Sequence, residues 1–148
     1  METNPISILL ADDDESDRLL FKEAFDELKI KTIVQTVNDG KQLMDYLKKA
    51  STRLPQLVFL DLNMPRKNGL ECLKEIRSNE KLKDISIAIY STSASEKDID
   101  ETFHSGANVY IQKPNSFNDL KEVLAKAVSA AYLYQEPPFN KQNFLLRV

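Results

Sequence analysis

Leu57-Val58-Phe59-Leu60-Asp61-Leu62-Asn63-Met64-Pro65-Arg66-Lys67-Asn68-Gly69 is the stretch whose reading decides the fold. It opens on an apolar run, Leu57 to Leu60, just after Pro55, the pattern of a short strand buried on both faces. Asp61 ends that run. Asn63, Met64 and Pro65 break the strand, and Asn68-Gly69 turns the chain into a helix. A carboxylate at the carboxyl end of a central parallel strand stands where open α/β sheets keep their chemistry. Asp61 therefore needs partners from elsewhere in the chain.

Upstream, Ile6 to Ala11 reads as a buried strand that stops at Asp12, Asp13, Asp14 and Glu15. A helix follows, with Leu20, Phe21, Ala24, Phe25 and Leu28 on its apolar side. Thr32 to Val37 alternates like a strand with one more exposed face, Asn38-Asp39-Gly40 turns, and Leu43, Met44 and Leu47 mark a second helix. Downstream of Asp61, Leu70, Leu73 and Ile76 define a helix from about Gly69 to Ser78. Ile85 to Tyr90 is a strand leading into Ser91, Thr92 and Ser93. Ser95 caps a weakly apolar helix carrying Ile99 and Phe103, which Gly106 stops. Asn108 to Ile111 is a short strand closed by Gln112, Lys113 and Pro114. Ser116 caps the last helix, with Leu120, Val123, Leu124, Ala127, Val128 and Ala131 at helical spacing. These are five strand-then-helix units. Right-handed crossovers make them an α/β, doubly wound parallel five-stranded sheet with helices on both faces.

The bulk properties agree with a single domain. The 148 residues are 42% hydrophobic and 29% charged, and 20 Lys and Arg against 23 Asp and Glu leave a net charge of −3. That balance gives no electrostatic case for nucleic acid or an anionic membrane. No apolar run approaches membrane-spanning length and no signal-peptide pattern opens the chain, so a cytoplasmic protein is expected. Cys72, the only cysteine, lies among Leu70, Leu73 and Ile76 and reads as a buried small hydrophobe.

Polar groups now end four strands: Asp12 and Asp13 the first, Asp61 the third, Ser91 the fourth and Lys113 the fifth. All project from one sheet edge. Carboxylates crowded there repel one another, which makes sense around a divalent cation such as Mg²⁺, with Lys113 adding charge and Ser91 a hydroxyl. A phosphoryl group fits this set. Asp61 is already ionised and can be the nucleophile, while the cation, Lys113 and Ser91 hold the phosphoryl oxygens.

At this point the sequence resembles the receiver domain of two-component response regulators. The matching pieces are Leu-Leu-Ala-Asp-Asp, Leu-Asp-Leu-Asn-Met-Pro-Arg-Lys-Asn-Gly, Ile-Tyr-Ser-Thr-Ser and Val-Tyr-Ile-Gln-Lys-Pro, in that order, over about Pro5 to Tyr134. The resemblance implies a flavodoxin-like (βα)5 fold with strand order 2-1-3-4-5, a receiver over residues 1–134 and an extension over 135–148. It implies Asp61 as phosphoacceptor, with Mg²⁺ held by Asp12, Asp13, Asp61 and the Asn63 backbone carbonyl. Lys113 and Ser91 would contact the phosphoryl group. Ser91 and Tyr110 would form the switch, Asn63 and Ser93 would tune phosphoryl lifetime, and the Lys113–Pro114 bond would be cis.

It further implies a sensor histidine kinase or phosphotransfer protein as donor and no enzymatic activity beyond self-phosphorylation and self-dephosphorylation. With no effector domain following, output would run through protein–protein contact. A homodimer through the fourth helix, fifth strand and fifth helix, or through the tail, is one such contact.

Plainer readings compete. An acidic pair one residue later, Asp13 and Asp14, is the alternative register, while Asp14 and Glu15 otherwise read as a solvated helix start. Tyr110 can be a packing residue only. His104 reads as a surface residue and not as a phosphodonor. Thr92 stands where a smaller residue is common in the family and would narrow access to Asp61. Asp61-Leu62-Asn63 faintly resembles the signature of haloacid-dehalogenase-like phosphatases, but Asn63 cannot act as acid or base there. A constitutive interaction module is a further alternative. The tail residues Phe139, Phe144, Leu145, Leu146 and Val148 are too apolar for a comfortable free end, so docking on the domain or a second copy competes with fraying.

Overall fold

The structure is a computed structural model that describes residues 4–49, 53–130 and 144–146. Five strands and five helices alternate as the apolar patterning predicts: β1 Ile6–Ala11, α1 Glu15–Glu27, β2 Thr32–Val37, α2 Gly40–Lys48, β3 Leu57–Leu60, α3 Gly69–Ser78, β4 Ser86–Ser91, α4 Glu96–His104, β5 Val109–Gln112 and α5 Phe117–Val128. Each helix starts at a side-chain cap. Asp14, Asp39, Asn68, Ser95 and Ser116 accept the backbone N–H three residues on, satisfying a donor the helix itself leaves free.

The sheet is parallel throughout and runs β2-β1-β3-β4-β5-β6. The order over the first five strands is the expected one. The sixth strand, β6 (Leu145–Leu146), corrects the five-stranded expectation. Leu145 and Leu146 pair with Tyr110 and Ile111, and Phe144 just before them is fully buried. The tail thus docks on the domain through these residues. The boundary expected at Tyr134, the helical position Ala131 and the tail residues Phe139 and Val148 lie outside the described residues.

Two apolar layers flank the sheet. On one side Phe21, Phe25, Phe59 and Tyr90 form an aromatic cluster with α1 and α5, ring centroids 4.9–6.4 Å apart. Edge-on and tilted packing of this kind adds to the burial of large rings. On the other side Leu43, Leu47, Leu73 and Ile76 of α2 and α3 pack on Leu9, Val58, Leu60, Ile87 and Ile89. Leu20 is a second correction: it is 44% exposed. The stripe of α1 runs through Phe21, Ala24, Phe25 and Leu28, and Leu20 falls one step off it.

The loop after β3 is built on close backbone approaches. A Cβ on Gly69 would stand 2.2 Å from the Asp61 carbonyl oxygen, and one on Gly40 would stand 2.0 Å from that of Lys67. Arg66 takes a left-handed φ of 70°, and the Lys67 N–H closes a tight turn onto the Pro65 carbonyl at 2.7 Å. This loop fixes the direction of the chain immediately after Asp61.

Candidate functional site

The site is the carboxyl edge of β1, β3, β4 and β5. The side chain of Asp12 is fully buried at the end of β1. Its Oδ1 accepts the Asp14 N–H at 2.9 Å. Its Oδ2 lies 2.8 Å from Lys113 Nζ, an ion pair outside hydrogen-bonding angles, so this buried oxygen has no hydrogen-bond donor among the described residues. Burial pushes the Asp12 carboxyl up to about 6, against the pull of Lys113 and the Asp14 N–H. Asp13 is exposed, and one oxygen each from Asp12, Asp13 and Asp61 falls within 4.8 Å of the others. Asp14 instead caps α1, its side chain accepting the Asp17 N–H.

Asp61, 5% exposed, accepts the Asn63 N–H on Oδ1 at 3.1 Å and Lys113 on Oδ2 at 3.1 Å. Lys113 is the hub. Its ammonium meets Asp12 and Asp17 at 2.8 Å and Asp61 at 3.1 Å, and sits 5.2 Å from the centre of the Tyr90 ring. Burial would lower its pKa, but the surrounding carboxylates win and raise it, so Lys113 stays charged. The Lys113–Pro114 bond corrects the cis expectation: no cis peptide occurs among the described residues. An X–Pro bond prefers trans by about 0.5–1 kcal/mol where nothing imposes the other isomer.

Ser91 ends β4 fully buried, with Oγ accepting the Ser93 N–H at 3.2 Å. Ser93 Oγ donates to Asp98 of α4 at 2.7 Å. Tyr110 is fully buried, and its hydroxyl donates to the Ser93 carbonyl at 2.8 Å. Thr92 is exposed, and its carbonyl accepts from Gln112 Nε2 at 3.3 Å. The structure thus brings Asp12, Asp13, Asp61 and Lys113 together, and ties Ser91, Ser93 and Tyr110 into one adjoining loop. His104 is exposed. Cys72 is buried with its thiol pushed up to about 11 by burial, so it is no nucleophile.

Two site residues escape a reading by strand ends. Tyr90 supplies the ring beneath Lys113. Asp17 comes from a helix. Its signal was available, because Asp17 is four residues before Phe21 and so extends the buried stripe of α1 up to the sheet edge.

The donor set fits a divalent cation. Asp12, Asp13 and Asp61 each bring a carboxylate oxygen within 4.8 Å of the others, Asp12 also carries a buried oxygen with no hydrogen-bond donor among the described residues, and hard oxygen ligands of this kind suit such an ion.

A parallel (βα)5 sheet with paired acids, a lone acid, a hydroxyl and a lysine at successive strand ends defines a receiver domain of the flavodoxin-like class. The chain belongs to the response regulator receiver domain family, whose model matches residues 8–125. It is 34% identical over 124 residues to the probable methanogenesis regulatory protein FilR2 of Methanothrix harundinacea, covering 82% of this chain and 80% of that protein. Among solved structures, the phosphorylated cyanobacterial phytochrome response regulator RcpA superposes with a TM-score of 0.81 at 32% identity, over 91% of this chain and 99% of that one. The Mn²⁺-bound form of response regulator Rcp1 gives a TM-score of 0.79 at 30% identity, over 90% and 99%. The chain is thus a response regulator of two-component signalling. No helix among the described residues is long and apolar enough to cross a membrane.

Proposed function

We propose that this response regulator accepts a phosphoryl group on Asp61 from the phosphohistidine of a sensor kinase or phosphotransfer protein, with Mg²⁺ as cofactor. The observation that carries this is the convergence of Asp12, Asp13 and Lys113 on the Asp61 carboxylate. Asp61 attacks phosphorus as the donor's N–P bond breaks, a new O–P bond forms, and the imidazole leaves with a proton. Mg²⁺, when bound by Asp12, Asp13, Asp61 and the Asn63 carbonyl, supplies neutralisation of the charge on the transferring group. Lys113 offers a permanently charged donor to one phosphoryl oxygen, and Ser91 a hydroxyl to another. Tyr110 and Ser93 sit where a shift of Ser91 is passed to α4. The relatives named as phosphorylated or Mn²⁺-bound response regulators support this reading.

The output is contact with a protein partner, in the cytoplasm, with turnover limited to the domain's own phosphoaspartate. A partner or second copy approaching β5 meets β6 on that edge. The phosphatase alternative gains nothing: Asn63 is an amide, and its N–H is engaged by Asp61. Nothing in the fold favours a constitutive module.

The test is incubation with Mg²⁺ and acetyl phosphate, followed by intact mass. One phosphoryl group is expected, absent without Mg²⁺ and absent in Asp61→Asn. Labelling that survives in Asp61→Asn sinks the assignment.

A further inference from the structure

We infer that Asp17 is a positioning residue for Lys113, the one carboxylate that keeps the lysine in the site when a divalent cation claims the others. The inference rests on the proposal that Asp61 is phosphorylated. Among the described residues Lys113 Nζ has three carboxylate neighbours, Asp12, Asp17 and Asp61. Two of them, Asp12 and Asp61, also belong to the triad whose oxygens can close on a metal ion. Asp17 does not. The partners of the lysine therefore divide into two that it shares with the cation and one that it does not share.

That division decides where Lys113 stands in the loaded site. A divalent cation among Asp12, Asp13 and Asp61 takes over their charge and repels an ammonium a few ångströms away. Lysine is a point charge on a flexible stem and readily leaves for solvent when its partners are withdrawn. The Tyr90 ring at 5.2 Å supports the ammonium but supplies only a quadrupole. Asp17 supplies a full charge at 2.8 Å with hydrogen-bonding geometry. It does so from a rigid element: its backbone N–H is bound by the Asp14 cap at 2.9 Å, and Phe21 below it is fully buried in the same stripe. A side chain held this way can set the position of its partner.

The plainer account of Asp17 is an acid in a first helical turn that serves only the helix dipole. That account predicts no coupling to a residue 96 positions away in sequence. Coupling is therefore what the experiment must read.

The full chain is phosphorylated with acetyl phosphate at saturating Mg²⁺. Asp17→Asn is expected to slow labelling of Asp61 about tenfold, the scale of one charge-assisted contact. Asp17→Glu, which keeps the charge, recovers part of the rate. In a Lys113→Gln background, Asp17→Asn adds no further loss. Independently of phosphoryl transfer, ¹⁵N NMR of the Mg²⁺-bound wild type should show a slowly exchanging Lys113 ammonium, lost in Asp17→Asn. A rate within about twofold of wild type, an equal loss in both backgrounds, or an ammonium signal that survives in Asp17→Asn overturns the inference. Failure of the underlying reading looks different: wild type then takes no label, or Asp61→Asn takes it, while the ammonium signal still reports on Asp17.

Discussion

β5 meets two contrasting environments within four residues. At its carboxyl end it passes Lys113 to a group of acids, Asp12, Asp13, Asp17 and Asp61, with one buried carboxylate oxygen lacking a donor among the described residues. Along its edge, Tyr110 and Ile111 pair with Leu145 and Leu146, and Phe144 seals the flank against Phe103 and Tyr110 at centroid distances of 5.3 and 6.0 Å. The first region is left short of positive charge. The second has its ladder paired and its tyrosine hydroxyl bonded. Unmet electrostatic demand is a capacity to bind, because a ligand that supplies the missing charge gains what folding left unmade. Satisfied apolar packing is a contribution to stability and little else. Tyr110 faces both, with its ring against Phe144 and its hydroxyl on the Ser93 carbonyl, so the flank bears on the Ser91–Ser93 loop through one side chain.

The contrast breaks most sharply at Gly69, where the site depends on backbone proximity alone. A Cβ there meets the Asp61 carbonyl at 2.2 Å, so the β3–α3 loop must move. Gly69→Ala is expected to cost about 3 kcal/mol or more and to abolish labelling of Asp61 even in the fraction that stays folded. Thermal unfolding and intact mass measure both. A variant that labels normally shows that the loop does not position Asp61. Phe144→Ala tests the other region. A buried Phe→Ala usually costs ~3–5 kcal/mol, but the tail can leave as a unit, so about 2 kcal/mol is expected, or a melting temperature lower by roughly 4–8 °C. An unchanged melting temperature means that the flank is open in solution.

The same contrast separates what the sequence reveals from what it hides. Leu57–Leu60, Ile6–Ala11 and Ile85–Tyr90 are short apolar runs bounded by turn residues that read as buried strands, and they place Asp61, Asp12 and Ser91 by simple succession. The gathering of Asp12, Asp13, Asp61 and Lys113 at one sheet edge was therefore legible. Asp17 was missed because an acid in a first helical turn has an ordinary explanation, and its partner is far away in sequence. β6 was hidden for a different reason. Two residues cannot show a period, and pairing across a long connection leaves no local signature. Phe144, Leu145 and Leu146 advertise burial but not where it occurs. The Lys113–Pro114 isomer was inferred from likeness alone, and the chain carries it trans.

A smaller and oppositely signed effect is expected at Asp12. Its carboxyl is pushed up to about 6 by burial from an ordinary value of 3.8. A raised carboxyl favours the protonated folded form, so its stabilising contribution is full below the ordinary value and is lost as pH rises through about 6. In metal-free protein, Asp12→Asn should therefore stabilise by about 1 kcal/mol at pH 7, a gain that disappears near pH 4. Melting temperatures across that range test the sign. A variant destabilised at pH 7 would show that the Lys113 pairing outweighs the burial cost.

The smallest effect expected is at the joint between the two regions. Ser93 Oγ donates to Asp98 while the Ser93 carbonyl accepts from Tyr110, so one residue ties the site loop to α4 and to the flank. Ser93→Ala deletes the first bond, together with the one that Ser93 Oγ accepts from the Ser95 N–H at 3.2 Å, and leaves the Tyr110 bond. The loss in stability should be only about 0.5 kcal/mol, the low end of the net value of a hydrogen bond, because Asp98 is only part-buried and Ser95 is exposed, so both can turn to water. The informative readout is motion. Amide exchange at Glu96–Asp100 should quicken, while exchange at Tyr110 and Ile111, held by β6, stays as slow as in the wild type. If both segments loosen together, α4 and the β6 flank are one cooperative unit. The charged edge and the apolar edge would then be coupled through backbone as well as through Tyr110.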